Sequence, residues 1–343
     1  MDSSVAAMLT REAGHECSAV TLHLFDENNA QDTPTGDGGG SEDARVVAER
    51  LGVPFSILDL RSQFREKVID SFVNSYLDGD TPNPCVRCNR YIKFGGLLDY
   101  AAERGNTHVA TGHYARVEYD AQSGRYLIRK GVDATKDQSY MLYSLSQGQL
   151  ARALFPLGGM LKSDVRRIAV SHGLPNAGRR ESQDICFIQN GGYPEFIKAY
   201  TGTVQGAGPI VDDTGAVAGT HRGAVRYTIG QRKGLGVAAP APVYVYAKSM
   251  ADNTVYAGPE ALLYSKAMTV RDINLLPYAR LPGPVRAMVK TRYRQAEQPA
   301  YIEQISDYEI HVEFDTPQRA VTRGQSAVFY DGDAVVGGGI ISG

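Results

Sequence analysis

Three cysteines carry the first chemical signal. Cys85 and Cys88 form a C-x-x-C inside the Pro-bounded segment TPNPCVRCNRYIKF, and Cys186 follows far downstream in SQDICFI. A spacing of two residues lets both sulfurs point to one place. The thiolate is the reactive form, so a helix start and the neighbouring Arg87, Arg90 and Lys93 are expected to lower the thiol pKa. A redox or sulfur-transfer pair, a metal or iron–sulfur site, and inert thiols all fit this pattern; a structural zinc knuckle normally wants four ligands. Cys17 follows an amphipathic helix and reads as a small core residue.

Other segments suit anions. Asp2, Ser3 and Ser4 precede a helical run that ends at Gly14, where two hydroxyls can ligate phosphate or cap the helix. Gly112-His113 closes the apolar strand THVATGHYA, where a ligand can approach the backbone and the histidine can donate to a phosphate or base. KDQSY (136–140), YTIGQRKGLG (227–236) and KTRYRQ (290–295) mix cations with aromatics or glycine, a composition suited to phosphate and base contacts, though each alone also suits a solvated surface.

The elements that must position these residues follow from periodicity. Ser41 can cap a helix with Ala44, Val47, Ala48 and Leu51 on one face. A short strand PFSILDL comes next, then a helical pattern with Phe64, Val68, Phe72 and Tyr76, the loop TPNP, a helix over roughly 91–104 and a strand into ATGH. Strands alternating with helices imply a parallel α/β sheet, with ligands at the carboxyl ends of its strands. The Gly- and Asp-rich TGDGGG (35–40) reads as a mobile loop. Beyond about residue 195, alternating runs such as VYVYAKS, YIEQI and YEIHVEF predict antiparallel β structure in two small domains. Asp331-Gly332 marks a hairpin, and Ser306-Asp307 marks a weaker one.

Composition narrows the function classes. At 343 residues the chain is too long for a lone binding module, and no apolar run approaches the ~18 residues of a membrane span. With 36 Lys+Arg against 38 Asp+Glu it is not a globally basic nucleic-acid binder, so a polyanion must meet a patch. Arg87, Arg90 and Lys93, Arg179 and Arg180, Arg232 and Lys233, and Lys290, Arg292 and Arg294 can line one face. Only four cysteines argue against a secreted disulfide scaffold, and a reducing cytoplasm is expected.

The ordered series DSSVAA, TPNPCVRCNRYIKF, ATGHYARV, KDQSYMLY, LFPLG, SQDICFI, YTIGQRKGLG, KTRYRQ and GQSAVFYDGDAVVGGGII resembles the tRNA-specific 2-thiouridylases over nearly the whole chain. These enzymes thiolate the wobble uridine of certain tRNAs. The resemblance implies an α/β ATP-pyrophosphatase domain (adenine nucleotide alpha hydrolase-like, with a parallel sheet), a central β domain and a carboxyl-terminal β-barrel. The corresponding boundaries are expected at 1–196, 197–263 and 264–343.

The resemblance also implies roles. ATP with Mg2+ adenylates the uridine; Cys186 accepts sulfur as a persulfide from a sulfur-donating protein or sulfide source; Cys88 attacks or releases it. Asn83, Pro84 and Cys85 match the segment that touches the target base. His113, Lys136, Asp137, Gln138, Arg292, Tyr293 and Gln325 match tRNA-contacting positions, and Asp2, Ser3, Leu22 and Gly112 match ATP-contacting ones. A flipped base is expected in an aromatic cleft such as Phe187 and Tyr91 provide. Many relatives carry Asp at the position of Cys85. With Cys85, Cys88 and Cys186 all present, a [4Fe–4S] cluster with one open iron is a second implied route, and the two mechanisms stay open.

The family's phosphate loop reads S-G-G-x-D-S-S and this chain begins at the x, which implies that Met1 is an internal methionine of that loop. A non-catalytic tRNA-binding relative lacking a complete loop, and a synthetase that adenylates a small acid, are the rival readings.

Overall fold

The computed structural model describes residues 1–25, 38–178, 185–188, 192–203 and 205–343. The amino-terminal part is α/β. Strand Ala19–His23 runs parallel to Phe55–Asp59, and Val109–Ala110 runs parallel to Ala153–Leu154. The helix Gly38–Leu51 lies in the first crossover, and the second is long enough to hold a hairpin and two short helical turns. The helix Asp2–Glu12 buries Val5, Ala6 and Met8 against Val47 and Leu51 of the helix Gly38–Leu51 and against Val165 and Ala169 of the helix Lys162–Ser171. Gly38–Leu51 starts earlier than the Ser41 cap suggested. Of the expected loop 35–40, only its last three residues fall among those described, and they are helical.

The helical run 61–77 shows why spacing predicts burial: Phe64, Val68, Phe72 and Tyr76 recur every fourth residue, and all are buried on one face. A second helical run spans 84–103, opened by Pro84 at its first turn and capped by Asn83, whose Oδ1 accepts from the Cys85 amide at 3.2 Å. Its middle, Asn89–Gly96, is π-helical, a widening often found at functional sites.

One element escaped the sequence reading. Strands Ala115–Asp120 and Arg125–Lys130 form an antiparallel hairpin whose Arg129 pairs with Ala334, so the α/β domain adds two strands to the carboxyl-terminal sheet.

The central sheet has four strands. It is not purely antiparallel as expected, because Gly208–Val211 runs parallel to Thr254–Gly258. The long excursion 222–243, which carries YTIGQRKGLG, separates strand Val217–His221 from Tyr244–Ser249 and lets the chain re-enter in the other sense.

The last domain is a closed barrel. Its order is Tyr264–Leu275, Glu309–Arg319, Gln298–Gln304, Val285–Lys290, Ser326–Asp331, Ala334–Ile341, and the last strand returns to the first. Closure leaves the barrel no free edge. Its Val, Ile, Phe and Ala core includes Ile302, Val312, Phe314 and Phe329. The Asp331 hairpin is present, but Asp331 pairs with Ala334, so Gly332 (φ +58°) and Asp333 form the turn. At Gly338 a Cβ would fall 2.5 Å from the Ala327 carbonyl oxygen and 2.8 Å from the Tyr143 ring, so a bare backbone is what lets the barrel wall meet the first domain.

Candidate active site

The two halves of the cysteine pattern converge. Cys186 lies within electrostatic reach of both Cys85 and Cys88, and all three feel the ammonium of Lys93. Phe187 holds the Cys186 segment in place: it is buried edge-on against Phe64 and Phe72, with Phe196 5.2 Å away, in an apolar cluster that Cys88 and Leu22 also touch. Phe187 is therefore an anchor rather than a base-stacking platform, because burial leaves its faces no room for a base. Leu22 packs in that same cluster.

The thiols are less acidic than the sequence suggested. Burial pushes Cys85, Cys88 and Cys186 above the ordinary thiol range, Cys186 to about 12, with the neighbouring sulfurs adding to the rise at Cys88 and Cys186. Cys85 and Cys186 still face solvent. Of the three cations expected to help, only Lys93 acts on the thiols. Arg87 donates from Nε to the Lys67 carbonyl at 2.7 Å and lies 5.0 Å over the Tyr91 ring; Arg90 lies 5.3 Å from the same ring. Desolvation of the anion outweighs one ammonium. All four cysteines are free.

Lys93 is itself held. Its Nζ lies 3.4 Å from Nε2 of His113, whose Nδ1 is 2.7 Å from Thr111 Oγ1. An ammonium only donates, so Nε2 accepts and Nδ1 carries the proton. Burial, then the Lys93 charge, drives the His113 pKa well below its ordinary value, so the ring is neutral. His113 is buried between Phe94 and Phe155.

The three thiols do not fit an iron–sulfur cluster as they stand. Among the described residues no group of three or more His, Cys, Asp or Glu side chains is gathered closely enough to hold a metal ion.

At the other end of the site the helix Asp2–Glu12 opens against Gly112, where a Cβ would fall 2.8 Å from the Asp2 carbonyl carbon and the Ser3 amide nitrogen. The cap is not made by a side chain. Instead Asp2 accepts from Lys162 Nζ at 2.6 and 2.8 Å and from the Tyr114 hydroxyl at 3.2 Å, while Ser4 is buried and accepts from Asn176. Ser3 is exposed. Lys162 was missed in the sequence; its one signal is a lysine at the first position of a helix, against the dipole.

Of the remaining expected residues, Arg292, Tyr293 and Gln325 bond across domains, while Asn83, Lys136 and Gln138 bond within the first. Asn83 Nδ2 donates to Met141 Sδ, and Asn89 Nδ2 to the Met141 carbonyl, tying the C-x-x-C segment to KDQSYMLY. Pro84 is buried. Asp137 accepts from the amides of Gly131 and Ser139, and Gln138 Oε1 from the Tyr114 amide. Tyr293 donates to the Asp137 carbonyl at 3.0 Å. Arg292 donates to Ile229, Ala320 and Thr322, and Gln325 donates to the Thr81 carbonyl. Lys136 is half-buried in the turn that its amide closes onto the Asp133 carbonyl. On the expected basic face Arg232, Lys233 and Arg294 are exposed, Lys290 lies near Glu297 and the Tyr330 ring, and Arg179 and Arg180 lie outside the described residues.

Comparison with known proteins agrees with this architecture. Residues 1–190 match the tRNA methyl transferase HUP domain, 194–259 the tRNA methyl transferase PRC-barrel domain, and 265–341 the aminomethyltransferase beta-barrel domain. The tRNA-specific 2-thiouridylase MnmA of Moorella thermoacetica is 46% identical over 99% of this chain and 96% of its own length. The proteins of that name from Acetivibrio thermocellus and Heliobacterium modesticaldum are 44% and 46% identical, over 99% of this chain and 96% and 90% of theirs. At that identity over nearly the full length, this chain belongs to the tRNA-specific 2-thiouridylase family.

Proposed function

We propose that this protein is an ATP-dependent tRNA sulfurtransferase that replaces the C2 oxygen of the wobble uridine with sulfur, acting in the cytoplasm, where free thiols persist. The observation that carries the reading is the convergence of Cys186 on the Cys85–Cys88 pair beside Lys93. A methyl transfer needs no such thiol group.

The uridine oxygen is a poor leaving group, and ATP supplied with its magnesium activates it by adenylation, releasing pyrophosphate. Asp2, Ser3, Gly112 and Lys162 are the residues of this chain suited to the phosphates: Lys162 supplies the cation, and Gly112 lets the helix start come close. The Cys186 thiolate takes the outer sulfur of a donor persulfide, releasing the donor as its thiol, and the terminal sulfur of the new Cys186 persulfide attacks C2 as AMP leaves. Cys88 then attacks the inner sulfur, which frees the thiouridine and leaves a Cys88–Cys186 disulfide for an external thiol to reduce. With a pKa near 12 the resting Cys186 thiol is mostly protonated and loads slowly, and the loaded terminal sulfur is the more acidic nucleophile. Lys93 offsets the charge that forms. Asn83, Pro84 and Cys85 border the target base. Lys136, Asp137, Gln138, His113, Arg292, Tyr293 and Gln325 shape the seam on which the tRNA docks.

The test separates sulfur from methyl transfer. Unmodified tRNA is treated with the protein and either ATP, magnesium and a persulfide donor or a methyl donor, then digested to nucleosides and weighed by mass spectrometry. 2-Thiouridine in the first arm supports the proposal. A methylated nucleoside in the second, with no sulfur in the first, overturns it.

A further inference from the structure

The loop that leads into the C-x-x-C helix is fastened at Asp80, a residue the chemistry above does not use. Asp80 is buried at the end of the helical run 61–77, and its carboxylate meets cations from both other domains. Arg323 Nε of the barrel lies 3.2 Å from Oδ1, Arg271 Nη2 of the barrel lies 3.8 Å from Oδ2, and Lys248 of the central sheet is within electrostatic reach.

The backbone repeats the same joint. The Thr81 amide donates to the Arg323 carbonyl at 2.9 Å, and Gln325 Nε2 donates to the Thr81 carbonyl at 2.7 Å. Gly324 (φ +84°) touches the loop where a Cβ would fall 2.7 Å from the Asp80 Cβ and 2.8 Å from the Thr81 amide nitrogen. On the other side, a Cβ on Gly79 (φ +88°) would fall 2.9 Å from the Met250 side chain of the central domain. A buried carboxylate must be matched by nearby charge or it destabilises the fold, so this meeting of domains depends on Asp80 staying where it is. Between Asp80 and Cys85 the chain contains Pro82 and Pro84, whose fixed φ passes a displacement on rather than absorbing it.

We propose that Asp80 is a positioning residue: by clasping the three domains it fixes the 81–83 loop and the helix start that follows it, and so sets where the Cys85 and Cys88 thiols stand relative to a docked substrate. The inference takes from the proposed function only the role of that loop.

The test uses the full chain with Asp80→Asn, Arg323→Gln and the double variant. The Arg323 side chain is 64% exposed, so Arg323→Gln folds whether or not Asp80→Asn does. Three readouts are taken: kcat and KM for tRNA thiolation, iodoacetamide rates at each cysteine, and the unfolding temperature. Loss of a correctly placed group by an ångström costs ~10–100-fold in rate, so kcat falls on that scale in Asp80→Asn and less in Arg323→Gln, with KM for tRNA within about threefold of the parent. The double variant is no slower than Asp80→Asn, as expected when one residue acts through the other. Alkylation of Cys85 and Cys88 shifts in both single variants while that of Cys17 does not. Parental kcat and parental alkylation in both, whatever the unfolding temperature does, overturns the proposal. If the parent transfers no sulfur, the function proposed above is wrong, and the alkylation pattern still decides the clasp.

Discussion

The ammonium of Lys93 lies 3.4 Å from Nε2 of a buried, neutral His113, and among the described residues the same ammonium is the one cation that lowers the pKa of Cys85, Cys88 and Cys186. A neutral imidazole can hold an ammonium without cancelling its charge, which a carboxylate in its place would do. The arrangement keeps one full positive charge for the thiols in a setting that otherwise suppresses their ionisation.

The thiols should therefore react slowly and with a steep pH dependence. With Cys186 pushed up to about 12, its alkylation rate climbs about tenfold per pH unit from pH 7 to 10, because only the thiolate reacts. Lys93→Met removes the favourable charge and lowers the rate by roughly a further tenfold at fixed pH. A rate that levels off near pH 8 contradicts the burial argument.

His113 ties stability to pH. Its folded pKa lies well below the unfolded value of 6.5, so the unfolded chain binds the extra proton. Stability is fully present above about pH 6.5 and is lost as pH falls, by up to about 1.4 kcal/mol per unit. Urea unfolding of the parent and of His113→Gln from pH 7.5 to 5 measures the difference. The variant is expected to lack this part of the slope, and parallel curves count against a neutral buried ring.

Gly112→Ala probes the phosphate end. The new methyl meets backbone rather than a movable side chain, so the helix Asp2–Glu12 must shift, at a cost of roughly 1–3 kcal/mol. The KM for ATP is expected to rise while tRNA affinity stays unchanged. Equal changes in both would mean the helix start has no special relation to the nucleotide.

Binding of tRNA should weaken steeply with salt although the net charge is −2, since contacts with phosphates release counterions whatever the total charge. Arg232, Lys233 and Arg294 are the exposed cations to neutralise. Each substitution to Gln lowers the slope of log affinity against log salt by roughly 1 if that side chain meets a phosphate. A slope unchanged by all three places the tRNA elsewhere.

Local patterns carried most of the fold. The fourfold recurrence of Phe64, Val68, Phe72 and Tyr76 and the alternation in YEIHVEF are written in neighbouring residues, and both elements formed where expected. The hairpin Ala115–Lys130 was missed because the motif reading of ATGHYARV stopped at its first strand. The site was legible as residue types but not as environments. Whether Arg87 faces a thiol or a carbonyl depends on Lys67, and whether Phe187 is a platform or an anchor depends on Phe64 and Phe72. The Tyr293–Asp137 bond joins positions 156 apart, and no local spacing announces it.

Thiolation of a wobble-uridine tRNA by Cys186→Ala and Cys88→Ala, supplied with ATP, magnesium and a persulfide donor, tests the central claim most directly. Each substitution removes a nucleophile from a covalent route, so each is expected to cut 2-thiouridine formation by ~10³-fold or more while ATP-dependent pyrophosphate release on tRNA continues. Thiolation at the parental rate by Cys186→Ala contradicts a sulfur carried on that residue.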